Sequence, residues 1–526
     1  MTDTEDMGRA PEQPGRAGAG STAGSTAGRV TTAMGWSVGA KLARTAIALA
    51  SSIVVVRGLG AHDYGVLSSV RTILTFLAFL CGLGLGQALL RFMPELRVKR
   101  DAEGARGLLA FALLVQLAAW AAFFVVFLLW GESLGAFFKT PGLGLILKVG
   151  AGLLVIDLMA VLASQLLTSF YDVKLLSVYT TVSLVVSLAL TVAFLRMGHG
   201  VLGVLVAAAI SGGLLTALLL ERCALHVPLT LKPSFTGVGR VMKYSLPFAV
   251  IGVLNLVTWR QSETLFLLYF RTAEDAGLFD LGYRVPQQVL EMVPGAVWPL
   301  LMATFAEVYT RRREALGDAI SAYYKLLFVL VAPLSVFGAA VSAAGVPIVF
   351  GAPMAQSGAL AQMFFLIFSV SFFATPLSMS LYVMELTWLN LIIYCANAAV
   401  NIGLDFVLIP RYGLFGAVVP VTIVIAASPF VYYYALKRTG VRFAVPWGFI
   451  KRCYAASLPL AAFFFVADYL HSVFAFLAAC AGGVLLFWVS ARLVAIFRDE
   501  DVFLLDGLGP RLKPLVLGFF GWKSSR

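Results

Sequence analysis

The chain has 526 residues, of which 60% are hydrophobic and 13% charged, and its mean hydropathy is +0.91. This composition excludes an ordinary soluble domain and predicts a membrane protein. The formal net charge of +12 is spread over many short connections and forms no basic stripe with interleaved aromatic residues, so no nucleic-acid partner is expected.

Apolar segments long enough to cross a bilayer as helices recur along the whole chain. The period-two alternation of a membrane barrel is not found, so we expect an all-α polytopic membrane protein. Residues 1–32 are rich in Gly, Ala, Ser and Thr and predict a disordered cytoplasmic tail. The fourteen predicted helices lie near residues 33–56, 66–90, 107–130, 143–168, 176–195, 201–221, 244–270, 278–306, 321–343, 358–383, 387–409, 414–436, 449–470 and 472–495.

The connections that follow even-numbered helices hold most of the Lys and Arg, including the runs at 97–100 and 311–313. The connections that follow odd-numbered helices hold few Lys or Arg residues. By the positive-inside rule, both termini are expected in the cytoplasm, and the first connection is expected on the outer side.

Two similar pentapeptides, AHDYG at 61–65 and AEDAG at 273–277, are separated by 212 residues. Arg71 and Arg284 are 213 residues apart, as are GVLG at 200–203 and GLFG at 413–416. The agreement predicts duplicated six-helix lobes related by a pseudo-twofold axis along the membrane normal, with a cavity between them. We interpret both pentapeptides as outer turns in which Gly65 and Gly277 supply a permissive backbone. The predicted division is an N-lobe at 33–221, a linker at 222–243, a C-lobe at 244–436, two further helices at 437–495 and a cytoplasmic tail at 496–526.

Cationic residues at bilayer depth are costly and are therefore candidate binding residues. Arg44 and Arg260 fall near the middle of helices 1 and 7, which predicts a facing pair across the cavity, with Lys41 one turn from Arg44. Arg71 and Arg284 predict a second pair nearer the outer mouth. For Lys41, Arg71 and Arg284 the alternative is snorkelling to an interface, and Arg260 could be neutralised by Glu263.

The deep acidic residues Glu263, Glu291 and Asp157 are candidates for proton or sodium coupling, or for salt bridges. Amides at Gln261, Gln287 and Gln288 could bind sugar hydroxyls or hold helices together. The five cysteines and four histidines are dispersed, so neither a metal site nor a cofactor is expected.

Several stretches resemble signatures of the polysaccharide transport family, which belongs to the multidrug, oligosaccharidyl-lipid and polysaccharide exporter superfamily and includes O-antigen flippases. They are RGLGAHDYG at 57–65, LLRFMPE at 89–95, SLPFAVIGVLN at 245–255, AGLFDLGYR at 276–284 and NIGLDFVLIPRYGLFGAVVP at 401–420. The resemblance implies a bacterial inner-membrane flippase of undecaprenyl-pyrophosphate-linked oligosaccharide, for O-antigen, capsule or exopolysaccharide synthesis. It also implies alternating access through a cationic cavity. Phe279 stands where the family often has Tyr.

Other functions stay open at this point. A flippase for the peptidoglycan lipid precursor would have similar helices and cavity charge. A multidrug or cation antiporter of the same superfamily would have twelve helices and an acidic cavity. An integral-membrane polymerase, ligase or glycosyltransferase would need a large outer loop or an acidic catalytic cluster, neither of which is found. The sequence does not decide the coupling ion or whether a polysaccharide polymerase is a partner.

Overall fold

A computed structural model describes residues 19–170, 172–226, 237–259, 262–292 and 294–497, which form helices and no strands. Six helices make up the N-terminal half of the described chain. They are α1 (Ala19–Gly82), α2 (Leu85–Val98), α3 (Ala102–Phe137), α4 (Leu143–Ser169), α5 (Val173–Arg196) and α6 (Gly200–His226).

The C-terminal half consists of shorter and more broken helices. They are α7 (Val238–Trp259), α8 (Ser262–Phe270), α9 (Ala273–Glu291), α10 (Pro294–Arg311), α11 (Leu316–Phe350), α12 (Ala355–Ser371), α13 (Thr375–Val383), α14 (Thr387–Tyr412) and α15 (Leu414–Lys437). Three more helices follow, α16 (Trp447–Ser457), α17 (Phe463–Val466) and α18 (Val473–Val494).

Eleven segments of the described chain are long and apolar enough to cross a membrane, which confirms the all-α polytopic fold. The first of these, Ala43–Arg97, covers two of the predicted spans, and none of the eleven lies in α7 to α10. The number fourteen and the lobe boundaries stay predictions. Helix α1 begins at Ala19, before the predicted start at residue 33.

The two pentapeptides are helical, so their interpretation as turns was wrong. The chain bends one residue earlier, at Gly60, whose φ of 75° interrupts α1, and AHDYG then continues the helix. AEDAG is the first turn of α9, where the Thr272 side chain accepts a hydrogen bond from the backbone N–H of Asp275 at 3.0 Å. Glu274 and Asp275 favour this helix start because negative charge stabilises a helix N-terminus.

Gly65 and Gly277 allow α1 and α9 to cross with their backbones in contact. A Cβ atom at Gly65 would lie 1.6 Å from the carbonyl oxygen of Ala273, and one at Gly277 would lie 2.8 Å from the carbonyl oxygen of Ala61. Neither glycine has a positive φ, so what they supply is close approach and not a turn conformation. We name this contact the glycine crossing. It lies just after the Gly60 bend of α1 and in the first turns of α9, at the side that we predict to face outward.

A second contact joins the two halves further along the chain, where α2 packs against α7. Gly84 approaches the backbone of Ser245, and the Arg240 guanidinium donates to both carboxylate oxygens of Glu95 at 3.1 and 3.2 Å. Arg240 is largely exposed, so this ion pair adds little stability. The glycine crossing is buried and is the tighter contact.

We expect Gly65→Ala to separate α1 from α9 at the glycine crossing. Bringing a 1.6 Å contact to van der Waals distance requires a displacement of about 2 Å. Double electron–electron resonance measures the separation between spin labels at two exposed positions, His62→Cys and Glu274→Cys. The exposed Cys395 is first changed to Ser so that it is not labelled.

Gly213→Ala is the matched control, because a Cβ atom there meets nothing within 4 Å. An unchanged distance in Gly65→Ala would show that the crossing is not tightly held.

Candidate functional site

A cavity of about 520 Å³ lies between the two halves and receives polar side chains from both. α1, α4 and α6 line one side, and α7 and α9 line the other. The polar and charged residues in its wall are Arg71, Thr72, Thr75 and Asp157 from the N-terminal half and Arg284, Gln287, Gln288 and Glu291 from the C-terminal half.

Arg71 and Arg284 are brought to the same cavity, one from each half. Arg71 follows Gly60 by eleven residues and Arg284 follows Ala273 by eleven, which is about 16 Å of helix in each case. The two arginines therefore lie at similar distances from the glycine crossing, and their depth in the membrane stays a prediction. The two guanidiniums are close enough to interact electrostatically, and because they carry like charges they repel.

Acidic groups accompany this pair, so the cavity is less purely cationic than expected. Asp157 interacts with Arg71 across the N-terminal wall. Gln287 donates to the carboxylate of Glu291 at 3.4 Å along α9. The wall therefore offers guanidinium donors beside carboxylate and amide acceptors.

A buried hydrogen-bond chain connects Arg284 to the glycine crossing. The Arg284 Nη2 donates to Asp280 Oδ1 at 2.8 Å, and the Tyr64 hydroxyl donates to Asp280 Oδ2 at 2.5 Å. Asp280 is 0% exposed and Tyr64 is 3% exposed. Because Tyr64 belongs to α1 and Asp280 to α9, the carboxylate bonds the two halves one turn from Gly277.

The other predicted cationic residues do not join this cavity in the described part of the chain. The Arg44 Nη1 donates to Thr180 Oγ1 of α5 at 3.3 Å and is not among the cavity-lining residues. Arg44 precedes Gly60 by 16 residues, or about 24 Å of helix, which places it further from the Gly60 bend than Arg71. The side chain of Lys41, and Arg260 and Gln261, lie outside the described residues, so the Arg44–Arg260 pair stays a prediction.

Glu263 lies in a separate buried cluster inside the C-terminal half. The Asn401 Nδ2 donates to Glu263 Oε1 at 2.7 Å and to Asp405 Oδ2 at 3.3 Å, and lies 3.5 Å from Ser262 Oγ. Glu263 is 2% exposed and Asp405 0%. Within the described residues, neither carboxylate is paired with an Arg, Lys or His. We name Glu263 and Asp405 the acid pair.

Sequence reasoning missed Tyr64, Asp280, Asn401 and Asp405. Each lies in a stretch that carries the family resemblance, and Asn401 and Asp405 are four residues apart on one helix, which puts them on one face. Their partner Glu263 is 138 residues away from Asn401 in sequence, so only the tertiary structure brings the cluster together.

The sequence profile described as "Polysaccharide biosynthesis protein" matches residues 54–359, which is more than half of the chain. The chain belongs to this family. The matched segment contains the glycine crossing, the cavity residues and Glu263. It confirms the resemblance to polysaccharide transport proteins.

One curated relative of this family member is the succinoglycan biosynthesis transport protein ExoT of Rhizobium meliloti (strain 1021). It is 24% identical over 310 residues, which cover 58% of the chain and 59% of that relative's length. The match thus spans less than two thirds of ExoT.

The fold of this family member is similar to solved transporter structures. The lipid II flippase MurJ in an inward closed conformation has a TM-score of 0.67 at 12% identity, over 86% of this chain and 97% of that one. An inward-facing multidrug resistance MATE family transporter of the MOP superfamily has a TM-score of 0.60 at 16% identity, over 76% and 96%. At these identities the likeness is one of fold.

We expect Tyr64→Phe to destabilise this family member. The substitution leaves a buried carboxylate oxygen of Asp280 without its donor, a loss of about 1–3 kcal/mol. Thermal unfolding of the detergent-solubilised protein, followed by intrinsic fluorescence, measures the change as a lowered Tm.

Tyr323→Phe is the matched control, because the Tyr323 hydroxyl is buried without a partner in the described structure. Equal melting of Tyr64→Phe and Tyr323→Phe would mean that the bond between the halves adds no stability.

Proposed function

We propose that this chain is a flippase that translocates undecaprenyl-pyrophosphate-linked oligosaccharide across the bacterial inner membrane for polysaccharide synthesis. The observation that carries the proposal is the pair of guanidiniums, Arg71 and Arg284, that reach one cavity from opposite halves of the chain. Family membership and the name of ExoT support a role in polysaccharide synthesis.

The chemistry of the cavity fits a head group that combines phosphate with sugar. Arginine presents a planar fork of donors that matches phosphate oxygens, and a phosphate between two guanidiniums relieves their mutual repulsion. Gln287, Gln288 and Glu291 accept hydrogen bonds from sugar hydroxyls on the same wall. The polyprenyl tail stays in the bilayer, which is its lowest-energy environment.

Alternating access requires the outer end of the cavity to open. In the proposed cycle the glycine crossing and the Tyr64–Asp280 bond close that end while the head group enters from the cytoplasm. Both contacts separate when the halves rock, which exposes Arg71 and Arg284 to the periplasm. The proposal places both termini in the cytoplasm.

We also propose that the acid pair couples transport to a cation gradient. Three oxygens, from Glu263, Asp405 and Ser262, converge on the Asn401 side-chain nitrogen within 3.5 Å. Turning the Asn401 amide by 180° would place a fourth oxygen there, so the cluster can enclose a monovalent cation. A proton or a sodium ion between the carboxylates removes their repulsion in the low-dielectric interior. Asp157 and Glu291, the other predicted coupling residues, line the cavity instead.

The peptidoglycan lipid precursor is the second candidate substrate, because its head also combines pyrophosphate with sugars and because MurJ has a similar fold. Multidrug export is less compatible with the arginine pair, since a cationic drug would be repelled. A polymerase or glycosyltransferase function receives no support from the cavity, which has no nucleotide-binding signature in its described wall.

We expect Arg71→Ala and Arg284→Ala each to slow translocation about tenfold or more, because a hydrogen bond to a charged group contributes about 1.5–3 kcal/mol. Purified protein is reconstituted in liposomes with a polyprenyl-pyrophosphate-linked oligosaccharide, and an impermeant sugar-oxidising probe measures the head groups that reach the far side. Arg44→Ala and Arg260→Ala, each checked for folding, test the predicted second pair.

Arg196→Ala, an exposed arginine outside the cavity, is the control. If transport is unchanged in both Arg71→Ala and Arg284→Ala, the flippase function would stand, but the assignment of this pair as the binding site would be wrong. Faster movement of the peptidoglycan precursor than of the polysaccharide intermediate would favour the second substrate. No movement of either lipid under a proton or sodium gradient would overturn the flippase function.

For the acid pair we expect Asp405→Asn and Glu263→Gln to abolish cation dependence. A cation that binds only the folded state raises its stability, by about 2.7 kcal/mol at a hundredfold excess over Kd. The Tm of wild type is compared in Na⁺ and K⁺ at constant pH, and transport is compared under proton and sodium gradients. Glu314→Gln, an exposed acid, is the control. Retention of the response in both acid-pair variants would contradict the assignment.

A further inference from the structure

The polar side chains of α14 lie on one face of this helix. Between Thr387 and Arg411, every Asn, Asp and Tyr falls within an arc of about 80° at 3.6 residues per turn. The remaining faces are apolar apart from Cys395. The five residues on the polar face are Asn390, Tyr394, Asn397, Asn401 and Asp405. We name them the polar file.

The polar file is enclosed by the C-terminal half and does not face lipid. Asn390, Asn397, Asn401 and Asp405 are 1%, 8%, 1% and 0% exposed. On the opposite side of α14, large apolar side chains are exposed, as expected for a lipid-facing surface. They include Ile392, Val400, Ile402 and Phe406.

Hydrogen-bonding groups of neighbouring helices follow the file along its length. The Tyr394 hydroxyl lies near those of Tyr382 on α13 and Tyr432 on α15. One turn further, the Asn397 Nδ2 donates to Ser428 Oγ at 3.2 Å. Asn401 then reaches the acid pair. From Asn390 to Asp405 the file is 15 residues long, about 22 Å of helix.

Buried polar groups in a membrane protein are normally paired, because an unpaired one costs about 1–3 kcal/mol. Both amide atoms of Asn390 are buried without a partner in the described structure, as are Asn401 Oδ1 and Asp405 Oδ1. These atoms do not hold helices together, since in the part of the chain that the structure describes they form no hydrogen bond to another helix. The unpartnered oxygens of Asn390, Asn401 and Asp405 leave ligand positions for a partly dehydrated cation at the two ends of the file.

The start of the file lies near an exposed charged group. Glu385, an exposed acid, lies in the connection between α13 and α14, five residues before Asn390. By the predicted orientation this connection is cytoplasmic. A carboxylate at this position attracts cations from solution.

We propose that the polar file is the route by which the coupling cation moves between the α13–α14 connection and the acid pair. The proposal rests on the cation coupling proposed above. In this proposal Asn390 and Asn397 contribute to the passage of the ion, whereas Glu263, Asn401 and Asp405 bind it. Cation exchange would then occur through the C-terminal half, apart from the cavity that holds the lipid head group.

The test separates the rate of cation passage from cation affinity. Asn390→Leu and Asn397→Leu are expected to slow gradient-driven translocation about tenfold, which corresponds to 1.36 kcal/mol in the barrier. The cation-dependent rise in Tm is expected to equal that of wild type, because the acid pair is intact. Asn390→Ser, which restores a polar group, is expected to recover most of the rate.

Cys395→Leu is the matched control, since it adds the same side chain to the exposed face of the same helix. Wild-type rates in both file variants would overturn the route. Loss of the Tm response together with the rate would overturn it as well, since the file would then support the binding site itself. If neither the Tm nor the transport rate of wild type depends on sodium ions or protons, the proposed cation coupling is wrong. This outcome concerns wild type and is distinct from the two outcomes for the file variants.

Discussion

The close approach of two helix backbones at Gly65 and Gly277 is the constraint on which the rest of the structure depends. With any side chain at Gly65, α1 and α9 could not meet as they do. The crossing fixes the relative position of α1 and α9 along their axes, and therefore brings Arg71 and Arg284 to the same level. It also puts Tyr64 beside Asp280, which links the glycine crossing to Arg284 through one buried carboxylate.

The charged groups of the two candidate sites lie in separate places. The cavity between the halves holds guanidiniums beside carboxylates and amides, whereas the acid pair lies inside the C-terminal half and is bridged by an amide. In the proposed function this separation lets an anionic head group and a cation bind without competing for ligands. Movement of α9 and α14 within one packed half would transmit the effect of one site to the other, as α8 contacts both helices.

The sequence predicts the fold class and the pairing of Arg71 with Arg284 because both follow from periodic features, namely apolar length and a constant repeat spacing. It misreads the pentapeptides because Asp-x-Gly is typical of turns, while the Thr272 cap and the Gly60 bend decide the local structure. Sequence reasoning identified Glu263 of the acid pair but not Asp405. Glu263 is conspicuous as a deep acid, but its contact with Asn401 joins residues far apart in sequence, and no local pattern indicates such a contact.

The duplication is asymmetric in its chemistry. At the 213-residue offset, the positions that correspond to Glu263, Asn401 and Asp405 are Ala50, Leu188 and Val192, all apolar. The glycine and arginine positions recur in both halves, but the acid pair occurs in one. In the proposed function, both halves therefore supply an arginine for the head group, whereas the cation site belongs to the C-terminal half.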